Sequence, residues 1–361
     1  PVPNCFENEF YRAEFDKQGF ITRLVEKTTG KILVNTSEIP FGSLAMQADS
    51  GDNWVEFEYP WELPVNAYST NVPDPYDRKN LPNHSNVLLR ANGVTSVSAC
   101  GLGDEAVRIL QTGVLQFWVT EIPFTTSITL YRNSPRIDYH TELECNFRRI
   151  RVRVAFPQAV EQGVIRHQIP YGMVERGEGP QPAQYLMDVQ DDHAGIALIN
   201  RGIPANNTED GIMMLTLFRS VAMEYKCQSE KSYNLGERLS FDYAILPHAS
   251  RDDDLLWQQS VAFQHPMVLT TREPLANFNV ENAMVSALRY DGDAVFIRVY
   301  NGTDQQKEAS IFVDDGVTHY AFTNGLMEPE QDQKVSGVLR LKLEPYAVRG
   351  IKFYYGQSTA E

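Results

Sequence analysis

Cysteine is scarce in this chain: four residues of 361, at Cys5, Cys100, Cys145 and Cys227. They lie far apart, without the CxxC spacing that a zinc ribbon or a redox pair requires. Thiols in a reducing, cytoplasmic compartment are the expectation. Long apolar runs are missing too. Stretches such as residues 114–119 are broken by polar residues, far short of the roughly 20 that span a bilayer, so neither a membrane span nor a membrane partner is expected. Basic charge is the third shortage, with 32 lysines and arginines against 47 acidic residues and a formal net charge of −15. A phosphate backbone would meet a repulsive field, which argues against a nucleic acid partner. The densest basic run, residues 148–153, alternates Arg149, Arg151 and Arg153 with apolar residues, the pattern of a strand with arginines on its solvent face.

Catalytic signatures are also lacking. There is no GxSxG elbow, no HExxH helix and no GxxxxGK[ST] loop. None of the seven histidines is spaced from another like a metal pair. His193 is the most suggestive, because Asp188, Asp191 and Asp192 precede it and carboxylates with an imidazole can hold a cation. A turn explains the same residues, since Asp side chains bond their own backbone. The residues from Pro1 onward read as neither a charged n-region nor an apolar h-region, so no signal peptide is expected in them, and a start at proline is what a truncated or processed product would show. Sequons at Asn35, Asn83, Asn206 and Asn301 matter only in a secretory pathway.

What the chain has in abundance is alternation. Residues 10–15, 20–25 and 31–34 read as a meander with Gly19 and Gly30 at its reversals. Residues 116–119, 125–131, 136–144 and 150–156 follow as long strands, which favours two stacked antiparallel sheets. Residues 252–263 are the one clear helical candidate, with acids at its start and Leu256, Gln259, Val261 and Phe263 partly on one face. Beyond His265 and Pro266 a compact β pattern suits a small sandwich. The expected domains are therefore 1–266 and 267–361, with a long surface loop over residues 64–82.

One segment has the chemistry of a sugar site. In Asp49-Ser-Gly-Asp-Asn-Trp-Val-Glu-Phe-Glu58 a glycine turn carries carboxylate, amide and indole groups, which suit paired hydroxyls and the apolar face of a pyranose. Tyr59, Trp61 and Tyr76 extend that character. A hairpin with a buried Trp54 accounts for the same residues. Glu56 and Glu58 share a strand face, but a glycosidase pair needs a partner across a cleft.

Three phrases, Gly195-Ile-Ala-Leu-Ile-Asn-Arg-Gly-Ile-Pro204, Leu215-Thr-Leu-Phe-Arg-Ser-Val221 and Phe241-Asp-Tyr-Ala-Ile-Leu-Pro-His248, resemble the C-terminal β domains of family 38 α-mannosidases. Arg151-Val-Arg-Val-Ala-Phe-Pro157 and Ile169-Pro-Tyr-Gly-Met-Val-Glu-Arg176 resemble two central strands of that family, and Glu344-Pro-Tyr-Ala-Val-Arg349 its terminal module. The resemblance implies an all-β fold: a large antiparallel super-sandwich of the galactose mutarotase-like kind, then a small C-terminal β-sandwich. It also implies a zinc-dependent retaining α-mannosidase whose metal ligands and nucleophile lie in an N-terminal α/β barrel absent here. This segment would then hold no catalytic residue, metal or cofactor of its own. Carried over residue by residue, the substrate-binding positions are Asp52, Asn53 and Trp54 in the early loop and Arg219 in the second phrase, where an arginine also serves as an ion-pair partner. The residues after Pro204, Ala205-Asn-Asn-Thr208, depart from the family pattern. Expected partners are the barrel domain, an α-mannoside or other carbohydrate, and a second copy in a homo-oligomer. The alternative is a free-standing carbohydrate-binding or epimerase-like β protein, which would need His140, His167 or His193 to converge with Glu142 or Glu175 on one sheet face.

Overall fold

The computed structural model describes residues 2–34, 39–48, 89–90, 93–117, 120–146, 150–220, 235–249, 252–268, 271 and 277–356. Among the described residues all elements are β-strands apart from one helix, and the chain divides into two compact units: residues 1–167 with 175–252, and residues 168–174 with 253–361. The helix Asp253–Gln264 therefore belongs to the second unit, whereas the expected boundary at residue 266 falls after it.

The first unit opens with the expected meander, strands Tyr11–Phe15, Ile21–Glu26 and Ile32–Val34, with Cys5–Glu7 added at its edge. Its reversals are built locally. Asp16 Oδ1 accepts the N–H groups of Gln18 and Phe20, both at 2.9 Å, and Gly19 takes a φ of +82° that a β-carbon would resist. The larger sheet runs Gly172–Glu175, Val164–Ile169, Leu186–Gln190, Ala194–Asn200, Glu237–Ala249, Ile137–Cys145, Thr120–Tyr131, Ala106–Phe117 and Val94–Leu102, antiparallel from Val164–Ile169 onward. The second sheet runs Gly179–Pro182, Ala205–Glu209, Ile212–Ser220, Ile150–Pro157, Ser43–Ala48 and Leu89–Arg90. Period-2 alternation turns one face of each sheet inward. Ile137, Tyr139 and Leu143 of one sheet and Ile150, Val152, Val154 and Phe156 of the other join a single core. At its centre Tyr139 stacks on Tyr243 at 5.4 Å, and Phe156 meets both rings edge-on. Each fully buried side chain of this size contributes on the order of 1.5–3 kcal/mol of burial.

The arginines of strand Ile150–Pro157 correct the sequence expectation. Arg149 lies outside the described residues, but Arg151 and Arg153 are each only 3% exposed, so they do not line a solvent face. The strand is flanked on both edges and covered on both faces, and alternation alone cannot tell a solvated polar face from a buried one. Arg153 Nε donates to Thr216 Oγ1 at 3.2 Å. The Ile169–Arg176 phrase is a second correction: it yields the four-residue strand Gly172–Glu175 at the end of its sheet and not a central strand.

The second unit packs a three-stranded sheet (Asn279–Glu281, Lys307–Phe312, Val338–Leu343) and a five-stranded one (Met284–Asp291, Ala294–Tyr300, Val348–Tyr355, Val317–Thr323, Gln333–Lys334) around their own core. The helix starts with Asp253 and Asp254 at its positive end and buries Leu256, Trp257, Ser260 and Phe263. Trp257 and Ser260 replace the expected Gln259 and Val261 on the inner face. Trp257 Nε1 donates to the Gly302 carbonyl at 3.0 Å, and a β-carbon at Gly302 would fall 2.4 Å from the indole.

Candidate functional site

Of the sequence-derived sugar-binding residues, Asp52, Asn53 and Trp54 lie outside the described residues, as do Glu56, Glu58, Tyr59, Trp61, Tyr76 and the 64–82 loop. Arg219 is described. It sits one residue before the end of strand Ile212–Ser220, partly buried, and stands opposite Arg151 in the antiparallel pairing. A register shift beside Val152 and Arg153 adds one residue on the Arg219 strand, the kind of irregularity that re-aims side chains near a strand end. The shared neighbour brings two sequence-distant pieces together. Ile150 pairs with Ser220 on one side and with Ala48 on the other, so Arg219 and the last residue of strand Ser43–Ala48 occupy the same end of one sheet. Asp52 follows Ala48 by four positions in the sequence. A guanidinium there offers a rigid fork of N–H donors, suited to adjacent hydroxyl or carboxylate oxygens.

The three histidines separate from one another, although His140 does meet Glu142 on one sheet face, Nε2 lying 3.7 Å from Oε1. His140 is on the outer face of the larger sheet, its side chain 43% exposed, with Nδ1 2.7 Å from Asp242 Oδ1; Arg201 reaches the other oxygen of Asp242 at 3.0 Å. His167 is fully buried on the opposite face, and among the described residues neither of its ring nitrogens has a hydrogen-bond partner. Burial, with a smaller push from Arg176, lowers its pKa to about 4. His193 is exposed at a turn. There Asp191 Oδ1 accepts the N–H groups of His193 and Ala194 at 2.8 and 2.9 Å, and Lys31 pairs with Oδ2 at 2.9 Å. Burial opposes ionisation of Asp191, but Lys31 and the two N–H groups draw its pKa down to about 2. The turn thus accounts for these residues, and Asp188 points elsewhere. Among the described residues no three His, Cys, Asp or Glu side chains are placed to hold a metal ion, so the implied zinc finds no ligand set among them.

One cluster escaped sequence reasoning. Asp188 is wholly buried; Arg166 Nη2 donates to its Oδ2 at 2.8 Å and His248 Nε2 lies 2.9 Å from its Oδ1. Burial works against charge on Asp188, yet His248 and then Arg166 lower its pKa. In the sequence Asp188 groups with His193, and Gly195 and His248 only mark the ends of two phrases.

The family model described as "Glycosyl hydrolases family 38 C-terminal domain" matches residues 6–225, well over half of the chain. The chain belongs to glycoside hydrolase family 38. Two solved structures from Enterococcus faecalis, a protein in glycosyl hydrolase family 38 and an alpha-mannosidase, are similar to it over 97% of its length. Both superpose with a TM-score of 0.71, at 18% and 17% identity. The chain spans less than half of each of them, 44% and 42%. No curated protein matches the sequence.

Proposed function

We propose that this chain is the β portion of a family 38 α-mannosidase and closes one side of an α-mannoside pocket. The observation that carries this is the family 38 C-terminal match, joined by whole-length similarity to structures more than twice as long. In this reading a barrel domain elsewhere in the protein holds zinc and the nucleophile, and zinc when bound would polarise sugar hydroxyls in a retaining hydrolysis. The chain's own part is positional. Arg219 donates to sugar oxygens from the end of the six-stranded sheet, and Asp52, Asn53 and Trp54, in the segment that follows strand Ser43–Ala48, supply acceptors and an aromatic face. A cytoplasmic location fits the sequence. Among the described residues Cys5 and Cys100 form no disulfide, and the sequon residues Asn206 and Asn301 are 2% and 1% exposed with their amides engaged by backbone carbonyls. Among the described residues no helix is long and apolar enough to cross a membrane.

The test is hydrolysis of an aryl α-mannoside by the full-length protein and by this segment, each with added zinc or cobalt and with chelator. Metal-dependent turnover by the full-length protein alone supports the reading, and turnover by the segment overturns it. Arg219→Met in the full-length protein is expected to lower kcat/KM about 10- to 100-fold, the worth of a lost charged hydrogen bond. Unchanged kcat/KM would remove Arg219 from the pocket.

A further inference from the structure

Two of the phrases that carry the family resemblance meet at a buried charged site. Gly195 opens the first and His248 closes the third, and the two stand opposite each other in the pairing of Ala194–Asn200 with Glu237–Ala249. The imidazole lies against the glycine. A β-carbon at Gly195 would fall 2.5 Å from His248 Cε1 and 2.6 Å from Nε2, so only hydrogen fits there while the ring keeps its place. On the far side of that strand, Leu186–Gln190 contributes Asp188 and Val164–Ile169 contributes Arg166, which are register partners.

The hydrogen bonds dictate where protons are. His248 Nδ1 lies 2.7 Å from the Ala249 carbonyl oxygen, which can only accept. Nε2 lies 2.9 Å from Asp188 Oδ1, and Asp188 Oδ2 already receives Arg166 Nε at 3.2 Å and Nη2 at 2.8 Å, as an ionised carboxylate does. Neutral imidazole has a single N–H and can satisfy only one of its two acceptors. The side chains of His248 and Asp188 are 0% exposed and that of Arg166 is 8% exposed, so water offers little replacement. A bare Nε2 lone pair facing a buried carboxylate would be repulsive.

We infer that Arg166, Asp188 and His248 form a buried clamp across four strands that is closed when the imidazole carries two protons and loosens when it loses one. Among the described residues the charged groups that act on the ring are Asp188 and Arg166; Gly195 brings none from its own strand. Burial would lower the His248 pKa, but Asp188 and the Ala249 carbonyl outweigh it and raise it above the ordinary value. Stability from His248 is then fully present below about pH 6.5, the unfolded value, and is lost as pH rises through the folded value. The contribution of Asp188, whose folded pKa is lowered, is present above about pH 4 and lost as pH falls. The clamp is closed between those limits.

The test is hydrogen exchange of the intact protein, read by mass spectrometry from pH 6 to 9 as opening equilibria corrected for intrinsic exchange. Peptides covering Leu186–Gln190, Ala194–Asn200 and Glu237–Ala249 should open more readily above about pH 6.5, by up to about tenfold per pH unit for one linked proton. His248→Gln, which cannot take up a proton, should flatten that slope, and strand Lys307–Phe312 should show none in either protein. Equal slopes in the wild type and H248Q would overturn the clamp. If H248Q does not fold, the wild type decides alone, because a flat profile from pH 6 to 9 overturns the proposal. Asp188→Asn provides a second variant, expected to abolish the rise in opening above about pH 6.5; a rise left in place would count against the carboxylate as its cause.

Discussion

Single atoms decide several positions in this chain. At Gly195 a methyl group would meet the His248 ring at 2.5 Å, and the ring is pinned by two hydrogen bonds. Gly195→Ala is therefore expected to destabilise the first unit by about 1–3 kcal/mol, the usual cost of overpacking, measurable as a lower urea midpoint with unchanged slope. His167 predicts a pH effect of the opposite sense to His248. It is buried without a partner among the described residues, and its folded pKa of about 4 lies below the unfolded value. Its native state thus binds fewer protons, and the neutral ring's stability is present above about pH 6.5 and lost as pH falls toward 4. Replacing it with Phe or Gln should flatten the acid limb of the stability profile, which urea melts from pH 4 to 7 would reveal. None of this was visible in the sequence, where His167 and His248 were two of seven histidines without a spacing pattern.

At the scale of elements, the meander and its turns were legible because their causes are local. Asp16 and Gly19 make a reversal from side chains within four residues of one another, and alternation then shows which residues face inward. The helix was legible at its start, where Asp253 and Asp254 sit in the first turn, but its buried face was not, because Trp257 and Ser260 are selected by what they pack against. Trp257 is 2% exposed, bonded to Gly302 and edge-on to Tyr300 at 5.4 Å. Trp257→Ala is expected to cost about 3–5 kcal/mol, with the loss appearing as faster exchange in the second unit. Strand Ile150–Pro157 shows the limit of pattern reading. Its arginines alternate as surface residues do, yet the strand is buried on both faces.

At the scale of the whole molecule, the described residues form two hydrophobic cores, one between the sheets of the first unit and one inside the second. Ile311, fully buried in the second core, offers a clean probe. Ile311→Ala should remove about 2–5 kcal/mol and lower one part of a calorimetric profile, while Gly195→Ala lowers the other. A single shared shift for both variants would mean that the units unfold as one.

The sequence alone determined the all-β class, the helix and the family resemblance, because period-2 alternation, turn residues and ordered phrases are all carried by neighbours in the chain. It also contained Arg219 and the Asp52-Asn-Trp54 phrase, but as separate marks. Only the tertiary structure decided that Arg219 shares a sheet end with strand Ser43–Ala48, that Arg151 and Arg153 are inside, and that Gly195 makes room for His248 beside Asp188 and Arg166. Those facts depend on which strands become neighbours, and strand pairing joins residues dozens of positions apart through long-range burial that no local pattern records.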